Sequence, residues 1–120
     1  MLTREPEQTI IPQAAEKGVG FIAFSPLAQG LLTDRYLQGV PEDSRMAVGR
    51  FLRPEMLTDT LAEKLHLLNG VAEQRGQTLA EMALAWLLRD ERVTSVIVGA
   101  SSVEQLKKKS SCSREPAIFP

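Results

Sequence analysis

The sequence predicts an α/β protein built on a parallel sheet. Residues 19–24 have apolar residues on both faces, as in a buried strand of a parallel sheet, and residues 94–98 form a second short, β-branched segment. Segments with helical spacing of apolar residues lie between them and on either side. Strands separated by helices indicate parallel connections with right-handed crossovers. Two strands are too few for a stable parallel sheet, because its edges stay open.

The first helix is expected over residues 5–17, since Pro6 suits a first turn and Gly18 is a stop signal. Pro12 falls inside this pattern and is expected to kink the helix or delay its start. After the first strand, residues 30–54 are punctuated by glycine and proline, which predicts a loop. A loop of this length favours a role in covering a ligand.

Three more helices follow the loop. One is expected to begin at Thr58 or Asp59 and to end near residue 75, with one apolar face. Thr78 and Glu81 form a capping-box pattern for a helix through residue 88. After the second strand, a last helix is expected to begin near Ser102.

Composition excludes several classes of function. The net charge of -1 gives no support to binding of nucleic acid or of a membrane surface through bulk charge. No apolar run approaches the roughly 20 residues that span a bilayer, and the N-terminus is too polar for a secretory signal. A single cysteine permits no internal disulfide. We therefore expect a cytoplasmic protein, and the sequence shows no metal-ligand cluster.

Two motifs follow the predicted strands. Ser25 and the turn to Gly30 can offer a hydroxyl and backbone N–H groups to a diphosphate, or they can simply end the strand in a Ser-Pro turn. Gly99 allows close backbone approach, and Ser101 and Ser102 precede a helix N-terminus that favours anions. Plain capping of that helix by either serine is the alternative. Because both motifs follow parallel strands, each strengthens the interpretation of the other as part of a phosphate-binding site.

Other polar and aromatic residues are ambiguous or structural. Four arginines in the loop could screen phosphates or be solvated, and Arg35 is the best candidate because it lies closest to the strand: Arg35, Arg45, Arg50 and Arg53. The only histidine, His66, lies in mid-helix, where a structural role is expected. Tyr36 is expected to pack the root of the loop and Trp86 to lie in the core.

Three segments resemble one family in order and spacing. They are GFIAFSPLAQGLLT (20–33), TLAEMALAWLL (78–88) and SVIVGASSVEQL (95–106). Together they resemble the C-terminal part of the aldo-keto reductases, in the branch that holds potassium-channel β subunits and bacterial L-glyceraldehyde 3-phosphate reductases. The resemblance covers about residues 1–106 and implies a fragment of a (β/α)₈ TIM barrel. It makes residues 19–24 the seventh strand and 94–98 the eighth, each with its helices.

The resemblance also implies a nicotinamide dinucleotide, NADP(H), as cofactor and a small carbonyl substrate in the full barrel. Ser25, Leu27 and Gly30 match positions that line the cofactor diphosphate, and Arg35 matches a basic residue that closes over it. Gly99, which directly follows the second strand, is expected to contact the same cofactor. Ser101 and Gln105 match residues around the adenosine 2′-phosphate and adenine. Ser102 stands where many relatives carry an arginine for that phosphate, which weakens the expected preference for NADPH over NADH.

The chain departs from the family pattern near its C-terminus. An acidic residue and an asparagine that bind adenine in the family are replaced by Lys108 and Lys109. Residues 107–120 carry a charge run and two prolines, so we expect a disordered tail there, after a barrel portion of residues 1–106. The abrupt change suggests a frameshift or an altered end at about Lys107.

The family's catalytic Asp, Tyr, Lys and His come from strands earlier than any in this sequence, so no catalytic residue is assigned. A barrel of this kind needs roughly 250 residues. We therefore expect a cofactor-binding C-terminal fragment of an NADP-dependent reductase that is inactive alone. The alternatives are a non-catalytic piece that complements a separate N-terminal fragment or self-associates through open strand edges, and a truncated product with no selected role.

Overall fold

The computed structural model describes residues 1–42 and 52–111 of the chain. Within those ranges the order is α1 (Glu5–Gln8), α2 (Ile10–Glu16), β1 (Phe21–Ala23), α3 (Asp59–Gln74), α4 (Leu79–Leu88), β2 (Val93–Val96) and α5 (Val103–Ser111). Short 3₁₀ turns lie at Ala28–Gly30, Asp34–Tyr36 and Pro54–Met56. The chain divides into one unit of residues 1–26 with 81–120 and another of residues 27–80.

The predicted first helix is two helices. Thr9 separates them, with φ −117° and ψ −88°. Pro12 lies in the first turn of α2, where its missing N–H is tolerated, and its ring would clash with the carbonyl of residue 8 in a continuous helix. Gly18 ends α2 at φ +66°, and Val19 N–H donates to the Ala14 carbonyl at 2.8 Å. The predicted helix therefore begins at Glu5 and is broken at Thr9, which is the kink of the two predicted outcomes and not the late start.

The two strands form a parallel pair, as predicted. Phe21 pairs with Val93 and Ile22 with Ser95, so Thr94 is an extra residue that produces a bulge. Gly20 lies against this bulge, because a Cβ there would be 2.8 Å from Thr94 Oγ1. Pairing continues past β2, where Ile97 N–H donates to the Ala23 carbonyl at 2.8 Å.

The prediction that both faces of the first strand are buried is wrong. Ile22 is 56% exposed and Phe24 is 81% exposed. In the part of the chain that the structure describes, the sheet has only these two strands. The apolar pattern is that of a strand covered on both sides, but the described residues cover one side only.

The helices α3 and α4 agree with the sequence expectation. Thr58 caps α3, since its hydroxyl accepts from Leu61 N–H at 3.2 Å, and Gly76 follows the helix at φ +68°. The largest fully buried side chains lie on or near these helices: Leu52, Leu65, Leu79, Met82 and Leu84. Apolar spacing and capping residues were sufficient to place both helices.

Trp86 lies under two guanidinium groups. The Arg89 guanidinium is 3.6 Å from the ring centroid and that of Arg4 is 5.4 Å away. The Glu7 carboxylate accepts from Arg4 at 2.8 Å and from Arg89 at 3.4 Å. Hydrogen bonding from Arg4 holds the pKa of Glu7 below its usual value. This cluster of cation–π contacts and ion pairs connects α1 to α4, and the tryptophan is half-buried rather than fully in the core.

The helix α5 is longer than expected. It continues to Ser111, so residues 107–111 are helical where a tail was predicted. Lys108 pairs with Glu104 at 3.1 Å, an i,i+4 arrangement that stabilises a helix, and lysines in a last turn suit the helix dipole. The rest of the predicted tail, residues 112–120, lies outside the described residues.

Candidate functional site

The carboxyl ends of β1 and β2 meet at one edge of the sheet because the strands are parallel. Ser25 lies two residues beyond the end of β1, and Gly99 lies three beyond the end of β2. Both positions are exposed. Two of the predicted cofactor-binding residues are therefore at the same sheet edge, where parallel α/β proteins hold their ligands.

The backbone after β1 is left-handed at three residues that are not glycine. Ser25 has φ +52°, Ala28 φ +47° and Gln29 φ +59°. Each such residue costs of order 1–3 kcal/mol, and such residues concentrate at ligand-binding and active sites. Sequence reasoning missed this feature, because alanine and glutamine carry no signal for a left-handed conformation.

The turn after β1 exposes backbone more than side chains. Leu27 is buried, and its carbonyl accepts from Gly30 N–H at 2.9 Å and from Leu32 N–H at 3.1 Å. Gly30 has φ +104°, and a Cβ there would lie 3.3 Å from the Tyr36 ring. Leu27 can thus offer a ligand its backbone but not its side chain. Tyr36 is buried at the root of the loop, as predicted.

Thr33 fixes the segment that leads to Arg35. Its hydroxyl donates to the Gly30 carbonyl at 2.6 Å and accepts from Arg35 N–H at 3.3 Å. Arg35 is exposed at the start of a 3₁₀ turn. The sequence analysis did not single out Thr33, although a threonine before a turn is a usual capping signal. Arg53 is also exposed, whereas Arg45 and Arg50 lie outside the described residues.

After β2, the serines and Gln105 form a local hydrogen-bonded cap. The Ser102 hydroxyl accepts from Gln105 N–H at 3.2 Å, which is plain N-capping of α5. Gln105 Oε1 accepts from Ser101 N–H and from the Ser101 hydroxyl, both at 3.1 Å. The alternative of simple capping therefore holds for Ser102, while Ser101 and Gln105 are hydrogen-bonded to each other.

Lys109 is a further functional candidate that the sequence analysis placed in a tail. Its ammonium donates to the Gly99 carbonyl at 2.6 Å, a contact ten residues apart in the chain. The same side chain lines a groove of about 300 Å³ between β2 and α5, together with Ser110 and Leu106. A positive charge is thus held beside the backbone of the predicted cofactor segment. The sequence did not reveal this contact, because it depends on the direction in which α5 runs back past Gly99.

Residues 1–42 and 52–111 hold no group of three or more potential metal-ligating side chains. Across the same ranges, none of the helices has the length and the apolar character needed to cross a bilayer.

A parallel pair of strands with helices between them defines an α/β protein, and the carboxyl edge of such a sheet is where these proteins hold their ligands. The family model for the aldo/keto reductases matches residues 1–113. The chain belongs to the aldo/keto reductase family, as the three sequence segments predicted. Membership implies a (β/α)₈ barrel as the parent fold, and the numbering of the strands as seventh and eighth stays a prediction.

Two curated relatives share a name, L-glyceraldehyde 3-phosphate reductase. The one from Escherichia coli O157:H7 is 62% identical over 95 residues. The one from Escherichia coli strain K12 is 59% identical over 95 residues. In both cases the match covers 76% of this chain and 28% of the relative. The chain therefore spans less than a third of the length of the curated relatives that it matches.

Proposed function

We propose that this chain is the cofactor-binding C-terminal part of an NADP(H)-dependent aldo-keto reductase and is inactive alone. The observation that carries the proposal is the shared edge of β1 and β2, where Ser25 and the segment from Gly99 to Gln105 lie after parallel strands. Family membership supplies the chemistry, the reduction of an aldehyde or ketone. When bound, the nicotinamide supplies a hydride to the carbonyl carbon.

The residues present fit the anionic part of a dinucleotide. A Cβ at Gly99 would meet no heavy atom within 4 Å, so the space beside its backbone is open. Serine hydroxyls, the Gln105 amide and the Lys109 ammonium give this segment donors suited to phosphate and to a ribose or adenine edge. After β1, Ser25 and the backbone of Leu27 and Gly30 would face the diphosphate.

Arg35 would supply a guanidinium to the diphosphate. Guanidinium groups bind phosphate with two parallel hydrogen bonds, which gives both energy and orientation. Thr33 holds the backbone of Arg35 in place after Gly30, because its hydroxyl donates to the Gly30 carbonyl and accepts from Arg35 N–H. The substrate of the parent enzyme is a small carbonyl compound, as the family implies.

The chain alone is expected to show no reductase activity, because the general acid of the reaction is not among its residues. Purified chain with NADPH and 4-nitrobenzaldehyde should leave NADPH absorbance unchanged. The positive counterpart is a chimera in which this chain replaces the matching segment of the Escherichia coli K12 relative. Turnover by the chain alone, or a folded chimera that cannot oxidise NADPH with L-glyceraldehyde 3-phosphate, would contradict the proposal.

Substitutions in the chimera test the cofactor edge itself. Arg35→Ala should weaken NADP⁺ binding by about ten- to a hundredfold, since a charge-assisted bond to phosphate is worth roughly 1.5–3 kcal/mol. Arg53→Ala is the matched control, because Arg53 is an exposed arginine at the far end of the same loop and matches no cofactor position in the family resemblance. Equal effects of the two substitutions would show that general positive charge, and not the Arg35 position, carries the binding.

A further inference from the structure

The segment that follows β2 carries polar groups but no cation of its own. From Gly99 to Leu106 its only charged residue is Glu104, whose carboxylate pairs with the Lys108 ammonium at 3.1 Å. Serine hydroxyls can donate hydrogen bonds to a phosphate, but they do not neutralise its charge. A phosphate that binds at this segment therefore needs a positive charge from another part of the chain.

Lys109 brings a positive charge back to this segment. Its ammonium donates to the Gly99 carbonyl at 2.6 Å. Along the described helix α5, Lys109 alone is half-buried, whereas the other residues are exposed. It lines the groove together with Val98 and Leu106, so its apolar stem has apolar neighbours while its charged end reaches a polar group. A carbonyl is neutral, so the contact orients the ammonium without cancelling its charge.

Ser101 directs two donors at one point beside this charge. Its N–H and its hydroxyl both donate to Gln105 Oε1, each at 3.1 Å. A phosphate oxygen accepts hydrogen bonds in the same way, and it can replace the Gln105 oxygen because Gln105 is exposed and has room to turn away. Ser101 follows Gly99 by two residues, so their Cα atoms lie within about 8 Å. One phosphate, with several oxygens, can therefore accept from Ser101 and from Lys109 together.

We infer that Lys109 binds the 2′-phosphate of the cofactor and selects NADP(H) over NAD(H). The inference deepens the proposed function and rests on it. NADP(H) carries two separate anionic groups, the diphosphate and the 2′-phosphate on the adenosine ribose, and NAD(H) lacks only the second. Arg35 is proposed for the diphosphate, so a separate cation after β2 suits the 2′-phosphate. Lys109 thus supplies the charge that the neutral Ser102 does not.

The experiment titrates NADP⁺ and NAD⁺ calorimetrically into the chimera, with the whole of this chain in place of the matching segment of the Escherichia coli K12 relative. Lys109→Ala should weaken NADP⁺ binding about tenfold or more and change NAD⁺ binding by less than about twofold. Lys109→Arg keeps the charge and should keep most of the preference for NADP⁺. Lys108→Ala is the matched control, since Lys108 is the adjacent lysine, is exposed and pairs with Glu104.

The ratio of the two affinities separates a phosphate contact from a structural role. Equal weakening of NADP⁺ and NAD⁺ binding by Lys109→Ala would show that the lysine contacts the adenine or supports the fold, and it would overturn the inference. A ratio that Lys109→Ala leaves unchanged, or that Lys108→Ala lowers as much, would overturn it too. A folded parent chimera that binds neither dinucleotide contradicts the proposed function and the inference with it, whereas binding of both with a ratio indifferent to Lys109 contradicts the inference alone.

Discussion

Asp90 and Arg92 form a two-pronged ion pair in the turn before β2. Arg92 Nε donates to Asp90 Oδ1 at 2.8 Å, its terminal nitrogen donates to Oδ2 at 2.7 Å, and Arg92 N–H donates to Oδ1 at 3.0 Å. These hydrogen bonds from Arg92 lower the pKa of Asp90 to about 2. A carboxylate in a backbone turn with this geometry fixes the chain direction into the strand.

Asp90→Asn should lower the free energy of unfolding near neutral pH by at most about 1 kcal/mol, as expected for a pair close to solvent. The folded-state pKa is depressed, so the contribution is present above the unfolded pKa of about 3.9 and is lost as pH falls through about 2. Urea unfolding at neutral pH and between about pH 4 and pH 2 measures this, with the neighbouring exposed Glu91→Gln as control. A difference between Asp90→Asn and the parent chain that persists undiminished at the acid end would contradict the assignment.

Gly20 is needed for close approach and not for its backbone freedom. Gly20→Ala would place a Cβ 2.8 Å from Thr94 Oγ1, so it should destabilise the chain by about 1–3 kcal/mol. Adding Thr94→Ala removes the clashing hydroxyl and should restore part of the loss, which a double-mutant cycle in urea would reveal. Gly99→Ala is the control for stability, because a Cβ there meets nothing within 4 Å. Additive effects at positions 20 and 94 would show that the contact is not the cause.

At the scale of elements, α3 contains an unnecessary glycine. A Cβ at Gly70, in the interior of the helix, meets no heavy atom within 4 Å. Gly70→Ala should therefore raise the free energy of unfolding by roughly 0.5–1 kcal/mol, through helix propensity alone. Gly76→Ala should do the opposite, because Gly76 has φ +68° and an L side chain there costs about 1–2 kcal/mol. Thermal melts that move in the same direction for both substitutions would be inconsistent with these roles.

The elements that sequence predicted are those with local signals. Thr58 placed the start of α3, and Pro12 placed the break before α2, because capping and proline chemistry act within one turn. The left-handed turn at Ala28 carried no such signal. The contact of Lys109 with Gly99, near the C-terminal end of α5, joins residues ten apart in the chain. Helix and turn propensities act over a few neighbouring residues, so they do not predict such a contact.

The candidate site was predictable in outline for the same reason. Each strand is followed within a few residues by serine and glycine, Ser25 and Gly30 after β1 and Gly99 and Ser101 after β2, so the sheet edge followed once the strands were parallel. The family resemblance, which three segments carried, is confirmed by the family match. The prediction that Ile22 is buried was wrong. Apolar residues on both faces of a strand indicate that both faces are covered in the folded protein, but the described residues of this chain cover only one of them.

For the whole molecule, we propose that the chain contributes to cofactor binding but does not catalyse the reductase reaction by itself. The turns that we propose to face the cofactor follow the strands of a sheet whose apolar face and edges are open among the described residues. Holding a dinucleotide requires these turns to keep their geometry, and geometry at a sheet edge depends on the neighbouring strands. We therefore expect NADP⁺ to bind well only when the remaining strands of a barrel are present.

The most direct test is a calorimetric titration of NADP⁺ into the chimera, with this chain in place of the matching segment of the Escherichia coli K12 relative, and into the chain alone. The account predicts a dissociation constant for the chimera within about tenfold of that of the relative, a difference of roughly 1.4 kcal/mol, and no measurable binding by the chain alone. A folded chimera that fails to bind NADP⁺, or a chain that binds it alone as tightly as the chimera does, would contradict the central claim.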